Sequence, residues 1–341
     1  MVTDTSVPLD DALAAPSSVR HRPLHHRLAH VANRFGVLVA WALFFVLWGA
    51  IEPSSFLTVG NLQAIFGTEV ELVVLALAVM IPLTVAEFDL SVAGAMGLSY
   101  ILMSYLSLTH HWPFAAALIV SLLSGLAVGV VNSFFIILIG VESIIVTLGT
   151  GTVLVGIGYA LVPGPISGLS TTFTNDMGHL IFGLPAMFYG ALVLAAVIWY
   201  VFDFTPLGRY MFFVGANRSV SKLAGIRVDR IRAGSLLASG GLSALAGIVL
   251  SAETGGADPS TSSSYLLPVF AAVFLGATTI YPGRFNPWGT VIAVYFLTTG
   301  ISGLELLGYS GWVEQVFYGG ALVLAVALSR LAGRTVTSAG L

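Results

Sequence analysis

Cysteine is absent from the 341 residues, which excludes disulfides, thiolate metal sites and cysteine nucleophiles. Charge is the second scarcity. Asp, Glu, Lys and Arg make up 9% of the chain, against roughly a quarter in a soluble domain. Such a surface is not compatible with water, so a soluble enzyme, a nucleic-acid binder and a disordered chain are excluded together. What is present instead is apolar: 57% of the residues are hydrophobic. Crossing the bilayer core takes roughly 20 apolar residues, so the chain has room for about ten spans with short connections. The net charge of −3 says little, because in a membrane the placement of charge matters more than its sum.

Residues 1–34 stand apart. Pro8, Pro16 and Pro23, the early acids Asp4, Asp10 and Asp11, and a basic, His-rich run from Arg20 to Arg34 read as a disordered cytoplasmic tail. A cleavable secretory signal is not expected, since the charged region is too long. His21, His25, His26 and His30 could hold a metal, but contact of the basic run with anionic lipid is the expected role. From Phe35 onward, ten apolar segments are expected at 35–51, 68–86, 92–108, 113–138, 144–162, 186–204, 232–252, 267–281, 289–304 and 313–331. Residues 35–331 then form the membrane domain and 332–341 a cytoplasmic C-terminal tail. Segments 68–86, 267–281 and 289–304 are short or carry polar residues, which makes them candidates for broken or re-entrant helices.

Lys and Arg set the orientation. With a cytoplasmic N-terminus and ten spans, the inner segments hold Arg20, Arg22, Arg27, Arg34, Arg209, Arg218, Lys222, Arg227, Arg230, Arg232, Arg284, Arg330 and Arg334, which is all 13 basic residues. The outer segments hold none, yet carry Glu52, Glu69, Glu71, Asp176, Glu253, Asp258, Glu305 and Glu314, half of the 16 acids. This asymmetry satisfies the positive-inside rule. The expected fold is therefore an all-α polytopic membrane protein of about ten transmembrane helices, with both termini cytoplasmic.

One inner loop is long, 205–231. Within it Asn217 is a good N-cap and Gly225 a good C′ residue. Between them Val220, Leu223 and Ala224 fall on one face while Arg218, Ser221 and Lys222 point elsewhere. The pattern predicts a two-turn amphipathic helix over 217–225, too short to persist alone. It must dock either on its own bundle or headgroups, or on another protein.

The segment Gly-Ala-Asn-Arg-Ser-Val-Ser-Lys-Leu-Ala-Gly-Ile-Arg-Val-Asp-Arg (215–230) resembles the cytoplasmic loop of permease subunits of ribose-type ABC sugar importers, Gly-x-Asn-x-x-Ala-x-x-x-x-Gly-Ile-x-Val. Phe88-Asp89-Leu90-Ser91-Val92 is similar to that family's Ile-Asp-Leu-Ser-Val. Val131-Asn132, Ile144–Thr150 and Ala271–Gly276 resemble its Leu-Asn-Gly, Phe-Ile-Val-Thr-Leu-Gly-Thr and Ala-Ala-Val-Val-Ile-Gly-Gly runs, in the same order. The resemblance implies that helix 217–225 couples to a cytoplasmic ABC ATPase through Asn217, Arg218, Val220, Lys222, Leu223 and Gly225, with Val220 and Leu223 on the ATPase and Arg218 and Lys222 at its rim. It also implies a second permease subunit, identical or related, and an extracytoplasmic sugar-binding protein. ATP would be used by the partner, with no cofactor on this chain. The location implied is the bacterial inner membrane.

Two interruptions are candidates for the solute path. In Ala86–Gly94, the carboxylates of Glu87 and Asp89 interrupt apolar sequence, and buried acids in a membrane suggest function. Asp89, followed by Ser91 and an apolar run, also fits a helix cap. Ala86 and Glu87 stand where the resembled family has Gly-Gly. The second interruption, Gly276–Gly289, holds Pro282, Pro287 and Arg284. The two breaks admit an inverted repeat of segments 2–5 and 7–10. Asn132 and Thr147 are polar in apolar surroundings and join Glu87, Asp89 and Ser91 as path candidates, with interhelical hydrogen bonding as the plainer role. Gly125, Gly129, Gly149, Gly151, Gly156 and Gly158 suit close helix packing. Glu253 and Asp258, in the acid-only outer loops, are expected to dock the binding protein. The alternative function is a proton-coupled secondary transporter working through Glu87 or Asp89. No hydrolase constellation is present, so the chain is not expected to be an enzyme.

Overall fold

The computed structural model describes residues 24–309 and 311–338, with side chains from 34 to 309 and 311 to 327. The described residues are mainly helical, with four two-residue strands among them pairing in loops. In order, the helices are α1 (Leu24–Ile51), α2 (Pro53–Phe56), α3 (Val59–Gly67), α4 (Val70–Thr84), α5 (Val92–Ser104), α6 (Phe114–Ser133), α7 (Ser143–Leu161) and α8 (Thr171–Gly178). There follow α9 (Ala186–Phe204), α10 (Pro206–Ala216), α11 (Arg218–Leu223), α12 (Val228–Thr254), α13 (Leu266–Gly276), α14 (Pro287–Leu306) and α15 (Trp312–Ser338).

Among the described residues, eight helical stretches are long and apolar enough to cross a membrane: Arg34–Ile51, Val59–Thr84, Val92–Thr109, Phe114–Ile139, Ser143–Leu161, Ala186–Phe204, Val228–Thr254 and Pro287–Leu306. Two shorter apolar helical stretches, Thr261–Gly276 and Trp312–Ala327, complete the set. The protein is an all-α polytopic membrane protein. Helix α1 begins at Leu24, inside the stretch read as a tail, and α15 runs to Ser338. The remainder of both tails (1–23 and 339–341), and the side chains of His25, His26 and His30, lie outside the described residues.

Helix α4 is the centre, buried along its whole length from Val70 to Thr84. It can be apolar on every side because helices surround it. Helix α12 lies against α4, α5 and α6 and holds them together. Its approach to α6 depends on glycine: a Cβ on Gly125 or Gly240 would collide with the carbonyl oxygen of the other. At Gly129 a Cβ would lie 2.7 Å from the Leu236 oxygen. In α7, Gly151 and Gly158 face α5, whereas Gly149 and Gly156 face open space.

Both expected interruptions are present. Pro82 sits in the last turn of α4, where its ring and missing N–H discourage continuation, and the chain is non-helical from 85 to 91. Helices α13 and α14 are separated by 277–286, with Asn286 capping α14 through its Oδ1, which accepts from Gly289 N at 2.7 Å. Pro287 follows at the first helical position, where an N–H is dispensable. Each break contains one non-glycine residue in the left-handed region, Ala86 at φ 58 and Ile280 at φ 63.

Candidate functional site: a helix break tied to the cytoplasmic loop

The loop 205–231 folds as two helices, α10 and α11. Asn217 caps α11 as its type predicts, with Oδ1 accepting from Val220 N at 3.1 Å. Gly225 ends the turn at φ +77, a left-handed conformation that suits glycine. Between them, Val220 is 59% exposed and Leu223 90% exposed. Leu223 therefore does not pack on its own bundle, and a large apolar side chain is held out at the tip of a rigid, capped turn. Lys222 is exposed as well, 4.0 Å from Asp229.

Arg218 does not share that exposed face. Its Nη2 donates to the Ala86 carbonyl at 2.8 Å and to Glu87 Oε1 at 2.7 Å. Glu87 is buried in the first break, and the same Oε1 accepts from Arg232 Nε in the first turns of α12. Arg218, expected at the rim of an ATPase contact, thus forms an ion pair within the chain. Glu87, expected on a solute path, forms a bridge between the break, α11 and α12. A carboxylate removed from water at this depth is tolerable only when paired and hydrogen-bonded, and two guanidinium groups supply that.

The rest of the break is bound as tightly. Asp89 Oδ1 accepts from Ser91 N at 3.0 Å and Ser91 Oγ at 2.6 Å, and Oδ2 accepts from Ser239 Oγ of α12 at 2.8 Å. Asp89 therefore closes an Asx-type turn at the start of α5, close to the cap its position predicts. Asn132 of α6 donates to Ser91 Oγ at 2.8 Å. Thr147 of α7 accepts from Leu90 N at 3.0 Å, and Ser143 Oγ accepts from Phe88 N at 3.2 Å. The sequence-predicted residues Asp89, Ser91, Asn132 and Thr147 are thus brought into one cluster, where all are buried. Together they join four helices.

The second break ends at the same place. Arg284 Nη2 donates to Asp203 Oδ1 at the end of α9 at 2.5 Å, and its guanidinium carbon lies 3.8 Å from the centre of the Phe212 ring in α10. The cytoplasmic pair α10–α11 is therefore attached to both breaks, to one by Glu87–Arg218 and to the other by Phe212–Arg284. Sequence reasoning missed Arg232, Ser239 and Ser143 as members of the cluster. A four-residue spacing of Ser235, Ser239 and Ser243 in α12 was the available signal, since it places hydroxyls on one helix face.

On the acid-rich side, Glu253 is partly buried. It occupies the last turn of α12, its Oε2 shielded from solvent and its carboxylate beside that of Glu71, which also accepts from Tyr265 Oη at 3.0 Å. Asp258 lies in the following loop, its Oδ1 accepting from Ser260 N at 2.8 Å. A cavity of about 460 Å³ nearby is lined by Glu69, Glu305 and Glu314 together with Asn61, Thr298 and Tyr318. The Thr298 hydroxyl in its wall is buried without a hydrogen-bond partner.

The family described as "Branched-chain amino acid transport system / permease component" matches residues 61–326. Among characterised proteins, the D-allose transport system permease protein AlsC of Escherichia coli is 28% identical over 300 residues, covering 88% of this chain and 92% of its own. The ribose import permease protein RbsC of Bacillus subtilis is 31% identical over 284 residues, with coverage of 82% and 86%. The probable ABC transporter permease protein YphD of Escherichia coli is 29% identical over 297 residues, with coverage of 86% and 88%. No solved structure matches the chain.

Proposed function

Because the chain belongs to the branched-chain amino acid transport system / permease component family, we propose that it is the membrane-spanning permease subunit of an ATP-driven importer for a sugar or sugar-like polyol. The substrate class rests on the D-allose and ribose permeases it is similar to. A second permease subunit completes the translocation path, a cytoplasmic ATPase supplies the energy, and an extracytoplasmic binding protein delivers the solute. ATP is used by the partner, and this chain needs no cofactor of its own.

One observation carries the ATPase contact: Leu223, 90% exposed at the tip of α11. An apolar side chain presented by a capped turn on the basic side is suited to a groove in a soluble partner. A movement of α11 imposed by that partner reaches the first break through Arg218 and Glu87. It reaches the second through α10, Phe212 and Arg284. From Glu87 the path continues two residues on to the Asp89–Ser91 cluster, which holds the starts of α5 and α7 against α6 and α12. Ion pairs and cation–π contacts suit such a linkage, because they hold geometry while allowing a second arrangement.

Docking of the binding protein falls to the cavity of Glu69, Glu305 and Glu314 rather than to Glu253. Three carboxylates beside no basic residue favour Lys or Arg on the partner. The proton-coupled alternative is not supported by the relatives, which are importer permeases. Both oxygens of Asp89 and Oε1 of Glu87 moreover accept from donors within the chain.

The test is uptake into proteoliposomes holding this chain, its ATPase and its binding protein. Uptake that needs ATP and no pH gradient supports the assignment. Uptake by this chain alone, under a pH gradient without ATP, overturns it.

A further inference from the structure

A crevice of about 1000 Å³ opens between α6, α9, α10 and α12. Its floor is one face of α12, where Gly234, Ala238, Gly241 and Leu245 succeed one another at helical spacing. Leu126 of α6, Leu194 and Ile198 of α9, and Met211 of α10 form the walls. From Arg230 to Leu245 the floor runs fifteen residues, about 22 Å at the rise of an α-helix. That is about half of the roughly 40–45 Å bilayer with its headgroup regions, the reach of one leaflet.

The mouth has a different chemistry. Arg227 and Arg230 line it, both are exposed, and neither forms an ion pair among the described residues. Asp229 between them is engaged elsewhere, 3.8 Å from Arg232 and 4.0 Å from Lys222. Tyr210 stands at the same end, an aromatic residue of the kind that favours the headgroup level. Two free guanidinium groups over a one-leaflet apolar slot match an anionic phospholipid: phosphate at the mouth, acyl chain along α12. The side carrying the basic residues is also the one facing the anionic leaflet.

We propose that this crevice is a binding site for one anionic phospholipid of the cytoplasmic leaflet, held by Arg227 and Arg230. Its mouth also includes Ala224, Gly225 and Ile226, the segment immediately following α11. A bound lipid therefore braces the loop that carries Leu223.

Native mass spectrometry of the purified full chain, titrated separately with phosphatidylglycerol and phosphatidylcholine, tests this. The wild type is expected to retain phosphatidylglycerol preferentially. The double variant Arg227→Gln, Arg230→Gln is expected to lose roughly tenfold in phosphatidylglycerol retention, while Arg209→Gln, on the same face but outside the crevice, changes little. Gly234→Phe fills the slot, since a Cβ there meets nothing within 4 Å, and it is expected to lower retention while leaving both arginines in place. Equal retention by the wild type, the double variant and Gly234→Phe overturns the proposal, as does an equal loss in Arg209→Gln. The chain has no cysteine, so Ala238→Cys provides a single thiol in the crevice. Efficient oxidative cross-linking of two copies through it would assign the slot to a second permease subunit and overturn the lipid.

Discussion

Arg218 in the cytoplasmic helix α11 donates to Glu87 in the break between α4 and α5, at 2.7 Å. The two residues are 131 positions apart, and their contact connects the exposed helix α11 with the interior of the bundle. Glu87→Gln removes the charge that neutralises Arg218 and the more buried Arg232. Breaking a buried pair costs about 3 kcal/mol, less whatever the half-exposed Arg218 recovers from water. Transport is expected to fall at least roughly tenfold while basal ATP hydrolysis persists, because the linkage fails rather than the motor. Parallel uptake and ATPase assays in the same proteoliposomes measure the split, and an equal loss of both activities would exclude a coupling role.

Leu223→Asp addresses the docking surface alone. At 90% exposure the side chain contributes little to the fold, so the thermal midpoint of the isolated permease in detergent should stay within about 1 °C, as surface changes do. Co-purification of the ATPase should be lost. Retained ATPase with normal substrate-stimulated hydrolysis would remove α11 from the interface.

Ala86 occupies a left-handed backbone conformation that costs an L-residue roughly 1–2 kcal/mol. Ala86→Gly should therefore raise the thermal midpoint, by an amount equivalent to about 1 kcal/mol, and Ala86→Val should lower it. A midpoint that falls in Ala86→Gly would mean that the side chain contributes packing that outweighs the strain.

Ser239→Ala leaves Asp89 Oδ2 without its donor in a buried site. Loss of one partner to a charged group costs about 1–3 kcal/mol, and Asn132→Ala should cost less, since it bonds Ser91 rather than the carboxylate. The order of the two thermal midpoints checks the assignment. Asn132→Ala being the more damaging would place the centre of the cluster elsewhere.

Gly240→Leu should prevent α12 from seating on α6, because a Cβ there meets the Gly125 carbonyl and helix backbones do not yield cheaply. Size-exclusion chromatography should show aggregate. Gly149→Leu, which faces open space, is the matched control and should elute normally.

What the sequence made legible was local or periodic. Asn217 and Gly225 announce the ends of α11 because capping is decided within a few residues. The span pattern follows from apolar run length in the same way. Asp89, Ser91, Asn132 and Thr147 could be singled out as polar residues in apolar surroundings, but not as one cluster, since that depends on how four helices pack. Glu87 was the least legible. Its partners lie 131 and 145 residues away, and nothing adjacent in the chain indicates that they converge on it. Glu253 could be placed among the acids of one side, but its closeness to Glu71 could not be read from the chain, since it depends on how α12 and α4 pack.

The ion pair between the break and the loop limits how the protein can be recombined. A permease with Gly-Gly at the positions of Ala86 and Glu87 has no carboxylate there to receive an arginine. Grafting its loop in place of 205–231 would leave Glu87 facing whatever residue replaced Arg218, and grafting this loop into it would leave Arg218 unanchored. On the proposed ATPase contact, a preference for one ATPase would therefore not be carried by a detachable cassette. The break and the loop form one heritable unit, and a chimera intended to change the motor must exchange both.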